Sequence, residues 1–513
     1  MSKPFTPSPQ QSDILAWVTN ETGNAVIEAV AGAGKTTTLI QIMRVAAEQG
    51  DTVGFFSFAK RIVDEISMKA ANLNSDMVNQ NVTIATMHSV GFKAVRNAYG
   101  RTKVEGKGWR EKKNYILAES LRIHKDLHKF CFGAVGKAKA AGIGIVCALD
   151  DRAAWDKIVD HYDLDDLLPG ESNIPMGEAI ATAIQLLKAH IESMHQIVDF
   201  DDMIYIPALK GLKLPQYDIV LNDEAQDTNL LRLAMLRLMI KPGGRIVSVG
   251  DPAQAIFGFT GAESDSLEKI KHSFACVTLP LSVSYRCPKS VVQIAQQWVS
   301  HIQSAPDAIE GHAETIDAKA FQARYGNLKA SDAILCRNTK PLVTLAYDLL
   351  GRGIGCRIEG KDIGEGLVRL ATKWRRVKTI GKMRSKLEEY LEIETNKAMA
   401  KGHEYKAESV SDRVACVLTI AATMHDDDSV SMLADRINSM FGDTPAGSIP
   451  RVITLSTIHK SKGREWPNVY WYGSDQYQPS KYARQNWQME QERNLMYVAA
   501  TRAQESLIIV NTL

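Results

Sequence analysis

Ala31-Gly32-Ala33-Gly34-Lys35-Thr36-Thr37 joins a run of small residues to a lysine and two hydroxyls. Between an apolar strand and a helix, such a run suits phosphate. Small residues let backbone N–H groups turn inward, and the helix N-terminus adds its positive end. Gly32, Ala33 and Gly34 would form the cradle, Lys35 would reach the β/γ-phosphates, and Thr36 would ligate Mg²⁺ with Thr37 beside it. The strict pattern wants Gly at position 29, where Ala29 stands. A glycine-rich turn with an incidental lysine is the bland alternative. Further on, Tyr217-Asp-Ile-Val-Leu-Asn-Asp223-Glu224-Ala-Gln226-Asp227 carries two adjacent carboxylates at the C-terminal end of an apolar strand, where α/β sheets place ligands. Asp223 suits Mg²⁺, and Glu224 suits orienting or deprotonating an attacking water. A solvated acidic loop is the alternative, and the phosphate run upstream weighs against it.

These groups need strands ending at one place. Ala25–Ala29 reads as a short apolar strand. A helix follows with Leu39, Ile42, Met43 and Ala46 on one face, stopped by Gly50. Further strand candidates are 53–58, 218–221, 246–249, 333–336, 452–455 and 507–510. Strands alternating with helical patterns predict an α/β fold of mostly parallel sheets covered by helices. Residues 89–195 and 361–449 read as mainly helical insertions.

Composition narrows the class. The chain has 513 residues, 45% hydrophobic and 23% charged, which excludes wholesale disorder and a collagen-like fibre. At roughly 150 residues per domain that is about three or four domains. The net charge is +2, so any nucleic-acid partner must be sought in local patches. Seven cysteines without a CxxC pair argue against zinc or a disulfide framework and fit a reducing, cytoplasmic compartment. No apolar run approaches the ~20 residues that span a bilayer, so no membrane partner is expected. The first residues lack a secretory apolar region.

Other strings make the reading specific. Asp223-Glu-Ala-Gln-Asp227 resembles motif II of the UvrD/Rep-type superfamily 1 helicases, and the other family motifs follow in order. Gly250-Asp-Pro-Ala-Gln254-Ala-Ile-Phe257-Gly-Phe259-Thr-Gly261-Ala262 resembles motif III, Tyr285-Arg286 motif IV, Thr457 to Trp466 motif V, and Glu492 to Ala503 motif VI. Thr86-Met-His88-Ser89 resembles motif Ib, and Asp199-Phe-Asp-Asp202 a run that the family carries before motif II.

The resemblance implies two RecA-like P-loop lobes with ATP and Mg²⁺ between them. It assigns Gln11 to the adenine edge, with Gln10 as the neighbouring candidate, and Tyr285 to stacking on the base. Gln254 would sense the γ-phosphate, Glu465 would bind the ribose, and Arg286 and Arg502 would act as arginine fingers. Cys287 reads as a buried thiol. For DNA it implies Lys60, His88, Ser89, Phe257, Phe259, Thr457 and His459, aromatics for bases and polar groups for the backbone. At one of the two phenylalanines a core position is the alternative. Trp466 also occupies a family aromatic position, where packing is the favoured reading. Motif Ia departs from the pattern: Ala59 stands for Asn, which leaves open whether Phe56 or Phe58 meets a base.

Two basic stretches lie in the insertions. Residues 101–130 hold nine Lys/Arg against four Asp/Glu, with Trp109 and Tyr115 interleaved. Residues 371–386 hold seven Lys/Arg, no acid, and Trp374. Each tracks DNA phosphate or is a solvated helix face.

The implied architecture is lobe 1A at 1–88 and 196–277, insertion 1B at 89–195, lobe 2A at 278–360 and 450–513, and a short insertion 2B at 361–449. The implied activity is an ATP-dependent DNA helicase or translocase moving 3′→5′ on single-stranded DNA and at single/double-strand junctions. An accessory protein for loading or activation belongs to this reading, as does a prokaryotic or phage source. The short second insertion favours translocation over strong autonomous unwinding. So little chain follows Arg502 that no C-terminal nuclease domain is expected. The alternative is an ATP-gated single-strand-binding subunit of a repair or defence complex.

Overall fold

The computed structural model describes residues 6–57, 60–71, 76–162, 164–168, 174–256, 265–374, 376–400, 404–442, 452–481 and 483–512. Phe58, Ala59, Phe257 and Phe259 lie outside the described residues. The chain divides into two compact units, 1–29 with 34–281 and 30–33 with 282–513.

In the first unit the strands are β1 (Ala25–Ala29), β2 (Val53–Ser57), β3 (Val82–Thr86), β4 (Lys103–Val104), β5 (Ile197–Val198), β6 (Tyr217–Asn222), β7 (Ile240–Gly250) and β8 (Val277–Leu281). Six form a sheet in the order β3-β2-β6-β7-β1-β8, and every pairing is parallel. β2 is buried along its whole length, as expected of a strand covered on both faces. β8 is the edge strand and tolerates Pro280, which has no N–H to donate. Because β8 pairs with β1, the first sheet extends past the boundary expected at 277.

Helix Lys35–Glu48 buries Leu39, Ile42, Met43 and Ala46 as its periodicity predicts, and Gly50 follows it at φ 94°. Among the described residues, the stretch expected as insertion 1B holds five main helices, Met87–Tyr99, Lys113–Ser120, His128–Ala140, Arg152–His161 and Met176–Glu192, tied by the β4/β5 pair. Their apolar faces enter the same core as the sheet. Phe130, Trp155 and Leu187 pack in one cluster with Phe56, Val220 and Ile246.

The second unit has β9 (Val283–Ser284), β10 (Gln303–Ser304), β11 (His312–Asp317), β12 (Ala333–Cys336), β13 (Cys356–Glu359), β14 (Phe441–Gly442), β15 (Ile453–Thr457), β16 (Trp466–Tyr472) and β17 (Ala503–Asn511). Seven make an all-parallel sheet in the order β11-β17-β16-β12-β15-β13-β14. The stretch expected as insertion 2B holds helices Lys361–Ala371, Ile380–Ala400, Glu404–Ala421 and Val430–Met440 among its described residues. Leu387, Val414 and Leu433 share a core with Ile334, Leu342 and Leu455.

Candidate nucleotide and nucleic-acid sites

Five neighbouring strands of the first sheet discharge their candidate residues at their carboxyl ends. β1 leads to the glycine run, β7 to Asp251 and Gln254, β6 to Asp223 and Glu224, β2 to Lys60, and β3 to His88 and Ser89. This is where parallel α/β sheets bind ligands.

Gly32 and Gly34 sit at φ 74° and 78°, left-handed backbone that side-chain-bearing residues rarely adopt. Lys35 opens the following helix. Its Nζ lies 3.7 Å from Glu224 Oε2. Glu224 is itself held at φ 49°, a costly conformation for a residue with a Cβ. Gln226 Nε2 donates to Glu224 Oε2 at 2.5 Å, while Gln226 Oε1 accepts from the Asp251 N–H at 3.0 Å. Gln254 Nε2 donates to Asp251 Oδ2 at 2.6 Å. Lys35, Glu224, Gln226, Asp251 and Gln254 therefore form one chain of contacts. Gln226 and Asp251 are linking members that sequence reasoning quoted without assigning. Their signal was present in the two motif strings.

Asp223 is buried, and its neighbour Glu224 adds like charge. Burial and then Glu224 push its carboxyl up to about 7. A carboxylate so reluctant to stand alone is suited to a cation, and Thr36 at the helix start offers a hydroxyl. The glycine cradle, Lys35 and this pair fit Mg²⁺-nucleotide chemistry.

Gln11 lies nearby and is busy. Its Oε1 accepts from the Ser8 N–H at 3.0 Å, its N–H donates to Ser8 Oγ, and its Nε2 donates to Thr38 Oγ1 at 3.0 Å. It closes a capping box on helix Pro9–Asn20. The same amide stands against Gly34, where an added Cβ would lie 3.2 Å from Nε2.

On the nucleic-acid side, Thr86 caps helix Met87–Tyr99 by accepting from the Ser89 N–H at 3.2 Å. Ser89 is exposed. His88 stacks on Phe200, centroids 3.7 Å apart. Burial, then Arg232, lowers its imidazole to about 4, so the ring is neutral at neutral pH. Lys60 is exposed and 3.5 Å from Asp64, one turn on.

In the second unit Arg286 pairs with Glu465, and Glu465 Oε1 also accepts from Gln504 Nε2 at 2.9 Å. Arg502 is only 1% exposed. Its guanidinium donates to the Val498 and Arg464 carbonyls at 3.0 and 3.2 Å and to Thr501 Oγ1 at 3.3 Å. Burial and then Arg286 lower it to about 10. Tyr285 is half exposed. The Cys287 thiol is buried and pushed up by that burial, in keeping with an inert side chain. Thr457 caps helix Ile458–Ser461. His459 is desolvated and lies near Arg337, which lowers it to about 3. Trp466 is buried at the head of β16. A pair absent from the sequence reading is Arg337 and Glu492, joined by Nε at 3.0 Å and Nη2 at 2.7 Å, with Glu492 1% exposed.

The two basic stretches differ from simple charged faces. Lys113, counted in the first, is wholly buried against Asp202 at 2.6 Å. Arg384, counted in the second, pairs with Asp426 and donates to the carbonyls of Ala421 and Met424 at 2.6 and 3.1 Å.

Parallel sheets that end in a phosphate cradle with a lysine and two carboxylates define a P-loop nucleotide-binding α/β protein. The chain matches the UvrD/REP helicase N-terminal domain over residues 10–275 and the UvrD-like helicase C-terminal domain over 368–513. It belongs to the UvrD/REP helicase family, and its two parallel sheets are that family's RecA-like lobes. It is 22% identical over 299 residues to the ATP-dependent DNA helicase Rep of Buchnera aphidicola, covering 54% of this chain and 41% of that protein. It is 22% identical over 311 residues to the ATP-dependent DNA helicase Rep of Escherichia coli, covering 56% and 42%. With the ATP-dependent DNA helicase srs2 of Schizosaccharomyces pombe it shares 23% over 313 residues, covering 55% and 33%. The matched stretches span less than half the length of these relatives.

Proposed function

We propose that this chain is an ATP-dependent DNA helicase or translocase moving 3′→5′ on single-stranded DNA. The observation that carries the reading is the Lys35–Glu224–Gln226–Asp251–Gln254 chain beside buried Asp223. It joins the phosphate-binding lysine to the groups that would handle metal, water and γ-phosphate. In this reading nucleotide takes over Lys35 from Glu224, which frees Glu224 for water. Mg²⁺ held by Thr36 and Asp223 supplies charge neutralisation on the phosphates when bound.

Arg286 and Arg502 are the arginine fingers of this reading, Tyr285 and Gln11 hold the base, and Glu465 holds the ribose. Arg286 trades Glu465 for phosphate. Arg502 gives up the oxygens that now surround it, so its engagement is tied to a rearrangement within its own unit. Lys60, His88, Ser89, Phe257, Phe259, Thr457 and His459 are the DNA-contacting residues of this reading. The domains are those of the family, with 1B and 2B as helical insertions that share their lobes' cores. The polarity comes from the family subgroup.

The test is strand displacement on duplexes with a 3′ or a 5′ single-stranded tail, with ATP turnover recorded together. Displacement of the 3′-tailed duplex alone supports the proposal. Displacement of only the 5′-tailed duplex overturns the polarity. Absence of DNA-stimulated turnover overturns the motor.

A further inference from the structure

Of the two basic stretches, the structure favours the first as a binding surface. Lys103, Lys107 and Arg110 are exposed around Trp109, which is 60% exposed. Of the acids among them, Glu105 is largely covered, whereas Glu111 is exposed and bonded to its own loop. Glu105 accepts from Lys112 Nζ at 2.6 Å and from the Lys113 N–H at 3.0 Å. Glu111 folds back onto the Gly108 N–H at 3.3 Å. The three exposed cations therefore outnumber the one exposed acid.

Trp109 does not hang free. Its ring meets Tyr115 edge-on, centroids 5.3 Å apart, and Tyr115 in turn packs on His128 and Phe132. The Arg110 guanidinium lies over the indole, 4.8 Å from its centroid. An aromatic held from below, widely exposed, with one guanidinium over its ring and exposed lysines close by in sequence, has the two features that grip a nucleic-acid strand: a stacking face and phosphate partners. In the second stretch two cations are engaged within the chain, while Arg376, Lys378 and Lys382 are exposed, and its Trp374 is more covered than Trp109. Lys373 sits 3.7 Å over Tyr390, and Arg384 is held by Asp426 and two carbonyls.

We infer that Trp109 and its cations form a nucleic-acid contact on insertion 1B, additional to the family motifs: an unpaired base stacks on the indole while Lys107 and Arg110 bind phosphate. The inference rests on the DNA reading above. Charge favours nucleic acid over a protein partner, because a stretch whose exposed cations outnumber its exposed acids complements phosphate.

The test uses the full chain and a fluorescent oligothymidine. Trp109→Ala is expected to weaken binding roughly five- to hundredfold, and Trp109→Phe to restore most of it. Lys107→Glu with Arg110→Glu is expected to lower the slope of log affinity against log salt by about one to two. Thermal unfolding checks that each variant is folded, which the exposure of these side chains predicts. A 5-iodouracil oligonucleotide should photocross-link to the peptide containing Trp109. Unchanged affinity and salt slope in folded variants overturn the contact while leaving the motor intact. Retained DNA binding with loss of a protein partner reassigns the surface to that partner and overturns it equally. A wild-type chain that does not bind the oligonucleotide removes the DNA reading itself, and this contact with it.

Discussion

The ammonium of Lys113 and the carboxylate of Asp202, 89 residues apart in sequence, meet at 2.6 Å with neither side chain exposed. Lys139 joins them, 2.8 Å from Asp202 and 2.7 Å from Asp199. Its Nζ is 3.1 Å from His190 Nδ1, and His190 Nε2 donates to Asn114 Oδ1 at 2.9 Å. His190, Asp199 and Asp202 converge as metal ligands would, but the cation they hold is an ammonium. Burial opposes the charge on Asp202, and Lys139, His190 and Lys113 outweigh it, so its carboxyl is held well below the usual range. The cluster pins three helices of insertion 1B to the start of helix Asp202–Lys210.

Breaking this cluster should cost far more than breaking a surface pair. Asp202→Asn leaves two buried ammonium groups short of a counter-charge. It should destabilise the first unit by about 3–5 kcal/mol, measured by chemical denaturation. Adding Lys113→Met should recover part of the loss, because the second change removes one orphaned charge. A fully additive double variant would show that the two residues are uncoupled.

The same cluster predicts acid sensitivity. Burial and then Lys139 lower His190 from 6.5 to about 4. The unfolded chain takes up that proton below about 6.5, whereas the folded chain resists until about 4. The stabilisation is complete above 6.5 and is lost as pH falls between those values, a change on the order of 3 kcal/mol. His88, lowered to about 4, and His459, lowered to about 3, act in the same direction. Stability against pH should therefore slope downward from 6.5 to 4. His190→Gln should reduce that slope by about one proton. An unaltered slope would exclude His190 from the effect.

At the phosphate cradle, Lys35→Ala should abolish ATP hydrolysis, because the γ-phosphate loses its cationic partner. The folded protein should survive, since the Lys35–Glu224 contact is 3.7 Å and partly exposed. Turnover near wild type, read by phosphate release, would remove Lys35 from the site.

Arg502 should show a double effect. Arg502→Ala should lower turnover by about three to five orders of magnitude. Its buried position adds a stability loss, because the Val498 and Arg464 carbonyls lose their donor. Arg502→Lys keeps the charge but not the rigid fork, and should recover stability more than turnover. Equal recovery of both would make Arg502 structural alone.

The sequence by itself determined the fold class and the family. Gly32, Gly34, Lys35, Asp223 and Glu224 carry the expectation of a phosphate site through residue type and spacing, because few side chains tolerate left-handed backbone or supply adjacent carboxylates after an apolar strand. Central strands such as β1 and β12 were legible as short, mostly apolar runs, since parallel strands are buried on both faces. Others were not. The edge strand β11 reads His-Ala-Glu-Thr-Ile-Asp and is partly exposed, so it carries no apolar signal, and the internal strand β16 hides an aromatic run behind a Trp-Pro start. Only the tertiary structure decided which charges are solvated and which are spent. Lys113 and Arg384 look like surface cations because a one-dimensional count cannot see a partner dozens of residues away. Only in the folded chain do desolvation and a matched counter-charge separate them from Lys107 and Arg110. The same limit hid the shared cores, since an amphipathic helix names the face it buries but not the surface it buries against.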